Sequence, residues 1–178
     1  AGRPSRPRHP RSRSALAEAE AHGEAALKLI DKGDWPGLDA YLAAPKLDQP
    51  HTLAMSLLDR IFECVWEDIL TDHVDAQDIA HPAAARDLPD AALAPFRTAI
   101  AAGNLPHLSL LTAHLLISMG WARRGGLFAR DPGFDPLSEQ ARYFREAQTL
   151  LDNLPETLAN RAATQRLQFS TRAGPARV

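Results

Sequence analysis

The chain has 178 residues, of which 45% are hydrophobic and 24% charged, and its formal net charge is −2. This length and composition fit one ordinary soluble domain and exclude fibrous, collagen-like and wholly disordered chains. The first 14 residues carry +5 and the last 22 carry +4, so the segment between them carries −11. The sequence therefore predicts an acidic body between two basic ends.

The N-terminal third of the chain changes character at Ser14. Residues 1–14 contain three prolines, five arginines and no large apolar residue, and are predicted to be a disordered basic arm. Apolar residues then recur at three- and four-residue spacing, which predicts a first helix that ends at Gly33. Asp34 is expected to cap a short second helix, which Pro45 ends.

Amphipathic patterning resumes after Pro50 and predicts a helix whose acidic side lies opposite a wide apolar stripe. Periodicity is lost over residues 71–89, which are interpreted as a long loop. A shorter helix follows over 90–102, bent or divided by Pro95. Residues 105–124 are apolar on nearly every side, which predicts a central helix packed by neighbours all round.

Two further helices are predicted, one over residues 135–154 and a weaker one from Pro155 to about 169. No segment alternates as a strand does, so the expected fold class is all-α. Six or seven helices packed as antiparallel hairpins give either a tetratricopeptide-like solenoid or an irregular helical bundle. A single all-helical domain is expected over 15–170, and residues 171–178 are expected to form a frayed tail.

Two stretches carry a resemblance to known proteins: LIDKGDWPGLDAYLA, and HLLISMGWARRGGLFA followed by FREAQTLLDNLPE. They resemble a group of bacterial all-helical, tetratricopeptide-like proteins known as domains of unknown function. The matching positions are Gly33, Asp34, Trp35, Leu38, Trp121, Arg124, Gly125, Ala147, Leu150, Leu151 and Pro155. The resemblance covers most of residues 24–156 and implies a helical-repeat fold and protein–protein contact, with no catalytic residue to carry over. The repeat spacing of about 34 residues in the tetratricopeptide consensus does not itself recur in the chain.

One stripe of the central helix is semi-polar, with His107, Leu111, His114 and Ser118 at positions i, i+4, i+7 and i+11. The stripe either faces a ligand or holds hydrogen-bonded core histidines, because a buried imidazole without a partner is costly. The candidate ligand-facing residues are these four together with Trp121 and Arg124, for which helix packing and compensation of the helix dipole are the alternatives.

The strongest metal candidates lie in the acidic stripe, because carboxylates at four-residue spacing share one helix face. They are Glu63, Glu67, Asp72 and His73. A dimetal carboxylate bundle also needs Glu-x-x-His pairs on two helices, and the sequence has none. A solvated acidic face is therefore the favoured interpretation, and no metal or other cofactor is expected.

The function predicted from these features is that of a non-enzymatic helical-repeat module that presents a groove to a partner protein or peptide. The alternative is a small metal- or ligand-dependent enzyme that uses the acidic 59–73 stripe or the His107/His114 face. The single cysteine, Cys64, favours a reducing cytoplasm. The longest apolar stretch is short for a membrane span, and the acidic body opposes specific nucleic-acid binding despite the basic ends. The oligomeric state stays open.

Overall fold

The computed structural model of this protein describes residues 10–52, 55–73, 88–124 and 136–171. The described residues contain seven α-helices and one small two-stranded sheet, which confirms the all-α class. The contacts divide the chain into two compact units, residues 1–65 and 66–178. The single domain expected over 15–170 stays a prediction.

The elements of the first unit are α1 (Pro10–Asp31), α2 (Trp35–Leu42), a 3-10 turn (Pro45–Asp48), β1 (Pro50–Thr52) and β2 (Met55–Ser56). Helix α3 (Leu57–His73) contains the boundary between the units. The second unit continues with a 3-10 turn (Asp90–Leu93), α4 (Ala94–Ala102), α5 (Pro106–Arg124), α6 (Pro136–Asp152), a 3-10 turn (Glu156–Leu158) and α7 (Ala159–Thr171). The division of the 90–102 helix ahead of Pro95 is thereby confirmed.

The corner between α1 and α2 follows from two adjacent residues that the sequence identifies. Gly33 has a φ of 65°, a left-handed conformation that glycine adopts without a Cβ penalty. Its N–H donates to Ile30 O at 2.9 Å, which closes the end of α1. The Asp34 carboxylate accepts a hydrogen bond from Gly37 N at 2.9 Å and caps α2. Both the predicted stop and the predicted cap are confirmed.

Two boundaries differ from the sequence-based expectation. Helix α1 begins at Pro10, so residues 10–14 of the predicted disordered arm are helical, and proline suits a first helical position because its missing N–H would have no partner there. Helix α3 extends to His73, so its last turn occupies the start of the predicted loop. Residues 1–9 and 74–87 lie outside the described part of the chain, as do residues 172–178 of the predicted tail.

A short antiparallel hairpin precedes α3, although no strand is predicted there. Pro50 pairs with Ser56, and Thr52 pairs with Met55. Ser56 also opens α3 in a capping box: its N–H and hydroxyl donate to Asp59 Oδ2 at 3.0 and 2.7 Å, and Asp59 N donates to Ser56 Oγ at 3.1 Å. Five residues of strand are too few for an alternating pattern to be visible in the sequence.

Helix α5 is the centre of the second unit, as its nearly all-round apolar sequence predicts. Its side chains from Leu110 to Gly120 are all buried. His114 contacts Gln165 and Trp121 contacts Gln168, so α5 and α7 run in the same direction. Asp152 contacts Arg166 while Phe144 contacts Phe169, so α6 runs opposite to α7. Helices α5, α6 and α7 therefore alternate in direction, and the buried side chains of α5 lie among them.

Candidate functional site

The semi-polar stripe predicted on α5 is largely buried. Leu111, His114 and Ser118 are 0%, 2% and 2% exposed, and His107 is half-buried. His114 Nδ1 lies 3.3 Å from Gln165 Oε1 of α7, so in the tautomer with a proton on Nδ1 the imidazole donates to the amide oxygen. This contact matches the hydrogen-bonded core histidine that the sequence leaves as one of two interpretations.

Trp121 and Arg124, the other two predicted ligand-facing residues, lie where α5, α6 and α7 meet. Trp121 Nε1 donates to Gln168 O at 2.9 Å, and its ring packs edge-on against Phe144 with centroids 5.5 Å apart. Phe144 in turn lies 5.0 Å from Phe169, and the Arg124 guanidinium lies 5.2 Å from the centroid of the Trp121 ring. We call Trp121, Phe144 and Phe169 the aromatic cluster. Edge-on ring packing of this kind stabilises helix contacts beyond the apolar area it buries.

A polar network that the sequence does not predict links the 3-10 turn that begins at Asp90 and helix α4 to helix α6. The Nε and Nη2 atoms of Arg97 donate to the two carboxylate oxygens of Glu146 at 2.6 and 2.8 Å. Its Nη1 and Nη2 atoms donate to Asp90 at 3.0 and 3.2 Å. Tyr143 is fully buried, and its hydroxyl donates to Asp90 Oδ1 at 2.8 Å. One guanidinium thus holds two carboxylates, and we call Asp90, Arg97, Tyr143 and Glu146 the carboxylate network.

Direct contacts within the network shift the pKa values of three of its groups. Burial opposes ionisation of Asp90, but hydrogen bonds from Arg97 and Tyr143 outweigh it and lower the pKa of this carboxyl group. Burial and the same hydrogen bond raise the pKa of the Tyr143 phenol. Hydrogen bonding to Glu146 raises the pKa of the Arg97 guanidinium further. These pKa shifts favour the ordinary charge states of Asp90, Arg97 and Tyr143, which suits a structural role.

Acid titration is expected to expose the contribution of Asp90. Because its folded-state pKa lies below the unfolded value of about 3.9, its stabilisation is complete above that value and is lost as the pH falls through the folded pKa. We expect the urea midpoint of the wild type to fall more steeply below about pH 4 than that of Asp90→Asn. Urea unfolding at a series of pH values measures this difference. Parallel curves for the two proteins would contradict the lowered pKa.

The predicted metal candidates do not form a ligand cluster in the described residues. No three His, Cys, Asp or Glu side chains of that part of the chain are placed to hold a metal ion. Nδ1 of His73 lies 2.9 Å from Ile69 O, a local helical contact in which the protonated nitrogen donates. The neighbouring Asp59 caps α3. Asp59 and His73 thus make hydrogen bonds to groups close to them in the chain. The side chains of Glu63, Glu67, Asp72 and His73 do not converge on one point.

Helix α7 exposes a large apolar side chain on an uncharged face, a surface that the sequence does not predict. One side of this helix is exposed and uncharged, and we call it the outer face of α7. It consists of Ala159, Asn160, Ala163, Thr164 and Leu167. Leu167 is 64% exposed, and Leu137 on α6 is the other large apolar side chain of the described residues with such exposure. The visible sequence signal is the recurrence of Ala, Ala and Leu every four residues, which places them on one side of a helix.

Arginines border the outer face of α7. Arg161 and Arg166 are half-buried, and Arg166 Nη2 lies 2.7 Å from Asp152 Oδ1. No acidic residue occurs within α7. The exposed apolar residues therefore lie between two arginines, of which Arg166 is paired with Asp152, and arginine is enriched where proteins bind other proteins.

Within the described ranges, no helix combines the length and the apolar character that a membrane crossing requires. Comparisons of the whole chain with protein-family models, curated proteins and solved structures find no match.

Proposed function

We propose that this protein is a non-enzymatic helical module that binds a partner protein through the outer face of α7. The main support is Leu167, which is 64% exposed on a helix face without charge. Full burial of a leucine side chain contributes roughly 2 kcal/mol. A partner that covers this face gains that contribution, which the isolated chain lacks.

The outer faces of α1 and α6 are unlike this one, and the exposed side of α4 is uncharged too but has no exposed large apolar residue. Exposed positions of α1 include Glu18, Glu20 and Glu24, and those of α6 include Arg142 and Arg145. Solvated helix faces usually carry such charges, whereas protein interfaces are depleted of charged residues at their centre and are enriched in arginine compared with the rest of the surface. The outer face of α7 has the composition of an interface rather than that of a solvated helix face.

The proposal includes a tetratricopeptide-like stacking of helical hairpins, which would offer a continuous surface to a protein or peptide. Its support is the alternating direction of α5, α6 and α7, together with the resemblance of the sequence. A bacterial, cytoplasmic protein is part of the same proposal, supported by that resemblance and by the single cysteine.

The alternative of a small metal- or ligand-dependent enzyme has less support. Leu111, His114 and Ser118 are buried, and His114 has a partner on α7. Asp59 and His73 make local hydrogen bonds within and before α3. These contacts explain the two candidate enzyme sites as parts of the fold.

Partner capture is expected to depend on Leu167. In pull-downs from a lysate of the host organism, Leu167→Glu should reduce the amount of captured partner by at least about tenfold, because 1.4 kcal/mol of lost binding corresponds to that factor. Quantitative mass spectrometry of the captured proteins measures the loss. Leu137→Glu is the matched control, since it places the same charge at the other exposed leucine of the described residues.

The two variants should melt within a few degrees of the wild type, because both replace exposed side chains. Equal capture by both variants would contradict the assignment of the surface. Capture of no protein above background by the wild type would contradict the proposed function itself.

A further inference from the structure

Two glutamines next to the aromatic cluster have buried amide atoms without a hydrogen-bond partner in the described part of the chain. They are Gln140 Nε2 on α6 and Gln168 Oε1 on α7. Gln140 lies one turn before Phe144 and is 7% exposed, and the backbone oxygen of Gln168 accepts the hydrogen bond from Trp121. Buried amide groups normally have a partner, so a ligand or an ordered water molecule is expected to complete this part of the fold.

Helix packing directs the Gln140 side chain towards the end of α5. The backbone oxygen of Gln140 lies 3.4 Å from the position that a Cβ atom would take at Gly120, so α5 and α6 touch at this level. Side chains of a helix lean towards its first residue, and α6 runs opposite to α5, so the Gln140 amide extends towards the last turn of α5. Arg124 occupies that turn, four residues beyond Gly120. The amide and Arg124 therefore lie at the same end of the two helices.

Arg124 carries a positive charge that no carboxylate of the described residues neutralises by an ion pair. Its side chain is half-buried, and its guanidinium lies 5.2 Å from the centroid of the Trp121 ring. The neighbouring Arg123 differs, because its Nη2 atom donates to Leu88 O at 2.6 Å. A ligand at the end of α5 would thus meet a partly desolvated cation that is held by an aromatic ring.

We propose that this end of α5 binds a small molecule with a carboxylate group on an apolar body. Arg124 pairs with the carboxylate, the Gln140 amide donates a hydrogen bond to it, and the half-buried Trp121 ring contacts the apolar body. A single cation at a helix C-terminus, where backbone carbonyls add partial negative charge, suits one carboxylate better than a doubly charged phosphate. The site is separate from the outer face of α7, so the inference does not depend on the proposed function.

Binding of benzoate to the full chain tests the proposal. In nuclear magnetic resonance spectra of the ¹⁵N-labelled protein, benzoate should shift the signals of the Trp121 indole N–H and of the Gln140 side-chain amide, and the titration gives a dissociation constant. Benzamide has the same ring without the charge. It should bind at least about tenfold more weakly, which corresponds to a loss of about 1.4 kcal/mol.

Two substitutions locate the site. Arg124→Met and Gln140→Leu should each weaken benzoate binding at least about tenfold, whereas Arg145→Met, at an exposed position of α6, should bind like the wild type. Gln140→Leu should also keep or raise the melting temperature, because leucine removes a buried donor that has no partner. A melting temperature several degrees lower would mean that the amide serves the fold instead of a ligand.

N-acetylphenylalanine distinguishes two sources of the carboxylate, because it resembles the last residue of a peptide. If it binds more tightly than benzoate, the carboxylate comes from a peptide end, and the opposite order assigns the site to a free acid. Equal binding of benzoate and benzamide, or benzoate binding that survives both substitutions, would overturn the inference. Partner capture through Leu167 uses another surface, so its success or failure is independent of these results.

Discussion

Arg97→Met is expected to lower the free energy of unfolding by about 3 kcal/mol, among the larger losses of any single substitution outside the apolar core. The guanidinium makes paired hydrogen bonds to both Glu146 and Asp90, and methionine keeps the aliphatic stem while removing all of them. The Glu146 and Asp90 carboxylates would be left close to each other, with the longer 3.4 Å contact of Arg142 remaining at Asp90. Since the Arg97 side chain is 24% exposed and its partners Asp90 and Glu146 are 46% and 33% exposed, water compensates part of the loss, and the expected value stays at the lower end of the range for a buried pair.

Urea denaturation of the full chain measures this loss, and Arg145→Met is its control. Arg145 is exposed on α6, and its Nε donates to Ala141 O at 3.3 Å within the same helix. Its replacement should change stability by no more than about 0.5 kcal/mol. Equal effects of the two substitutions would mean that the carboxylate network contributes no more than an ordinary surface pair.

The carboxylate network also marks the limit of what sequence could predict. Glu139, Arg142 and Glu146 have the spacing of ion pairs on the outer side of α6, and the pair between Arg142 and Glu139 is present at 3.2 Å. Glu146 instead binds Arg97, which is 49 positions away in the chain. Spacing along one helix cannot identify a partner on another helix, because that partner depends on how the helices pack.

Sequence patterns among neighbouring residues were sufficient to predict those features of the fold whose physical cause lies within a few residues. Gly33 and Asp34 determine the corner between α1 and α2 through a backbone conformation and a side-chain cap that involve the next few residues. The nearly uniform apolar sequence of α5 likewise predicts its central position, because such a helix has no side suited to water. The contact of the buried His114 with Gln165 of α7 matches the core-histidine interpretation, one of the two that the sequence leaves open.

The candidate sites were harder to predict because the exposure of a residue depends on which other helices cover it. The periodicity of α5 shows that His107 and His114 share a stripe, but it does not show whether another helix covers that stripe. The outer face of α7 can be recognised only when the exposure of its side chains is known. The sequence alone would equally allow Ala163 and Leu167 to lie on the buried side of the helix. For the same reason Trp121 could be placed near one helix end, but not beside Phe144.

Gly120→Ala is expected to destabilise the protein by about 1–3 kcal/mol, although alanine is the better helix former by about 1 kcal/mol. A Cβ atom at this position would lie 2.6 Å from Phe144 Cε1 and 2.8 Å from Phe144 Cδ1, with Gln140 O at 3.4 Å. The Phe144 ring is held by Trp121 and Phe169 on its other sides. Because the ring cannot move away cheaply, steric crowding between α5 and α6 should outweigh the gain in helix propensity.

A double-mutant cycle separates these two effects. Phe144→Leu shortens the side chain opposite Gly120, so Gly120→Ala should cost less in that background, by about 1 kcal/mol. Gly103→Ala is the control, because its Cβ would meet Leu105 Cγ at an ordinary 3.8 Å and its change in stability should stay within about 0.5 kcal/mol. Thermal or urea unfolding of the four proteins of the cycle gives the coupling. If Gly120→Ala stabilises the protein, or costs the same with and without Phe144, the close packing of α5 on α6 does not depend on the absence of a side chain at position 120.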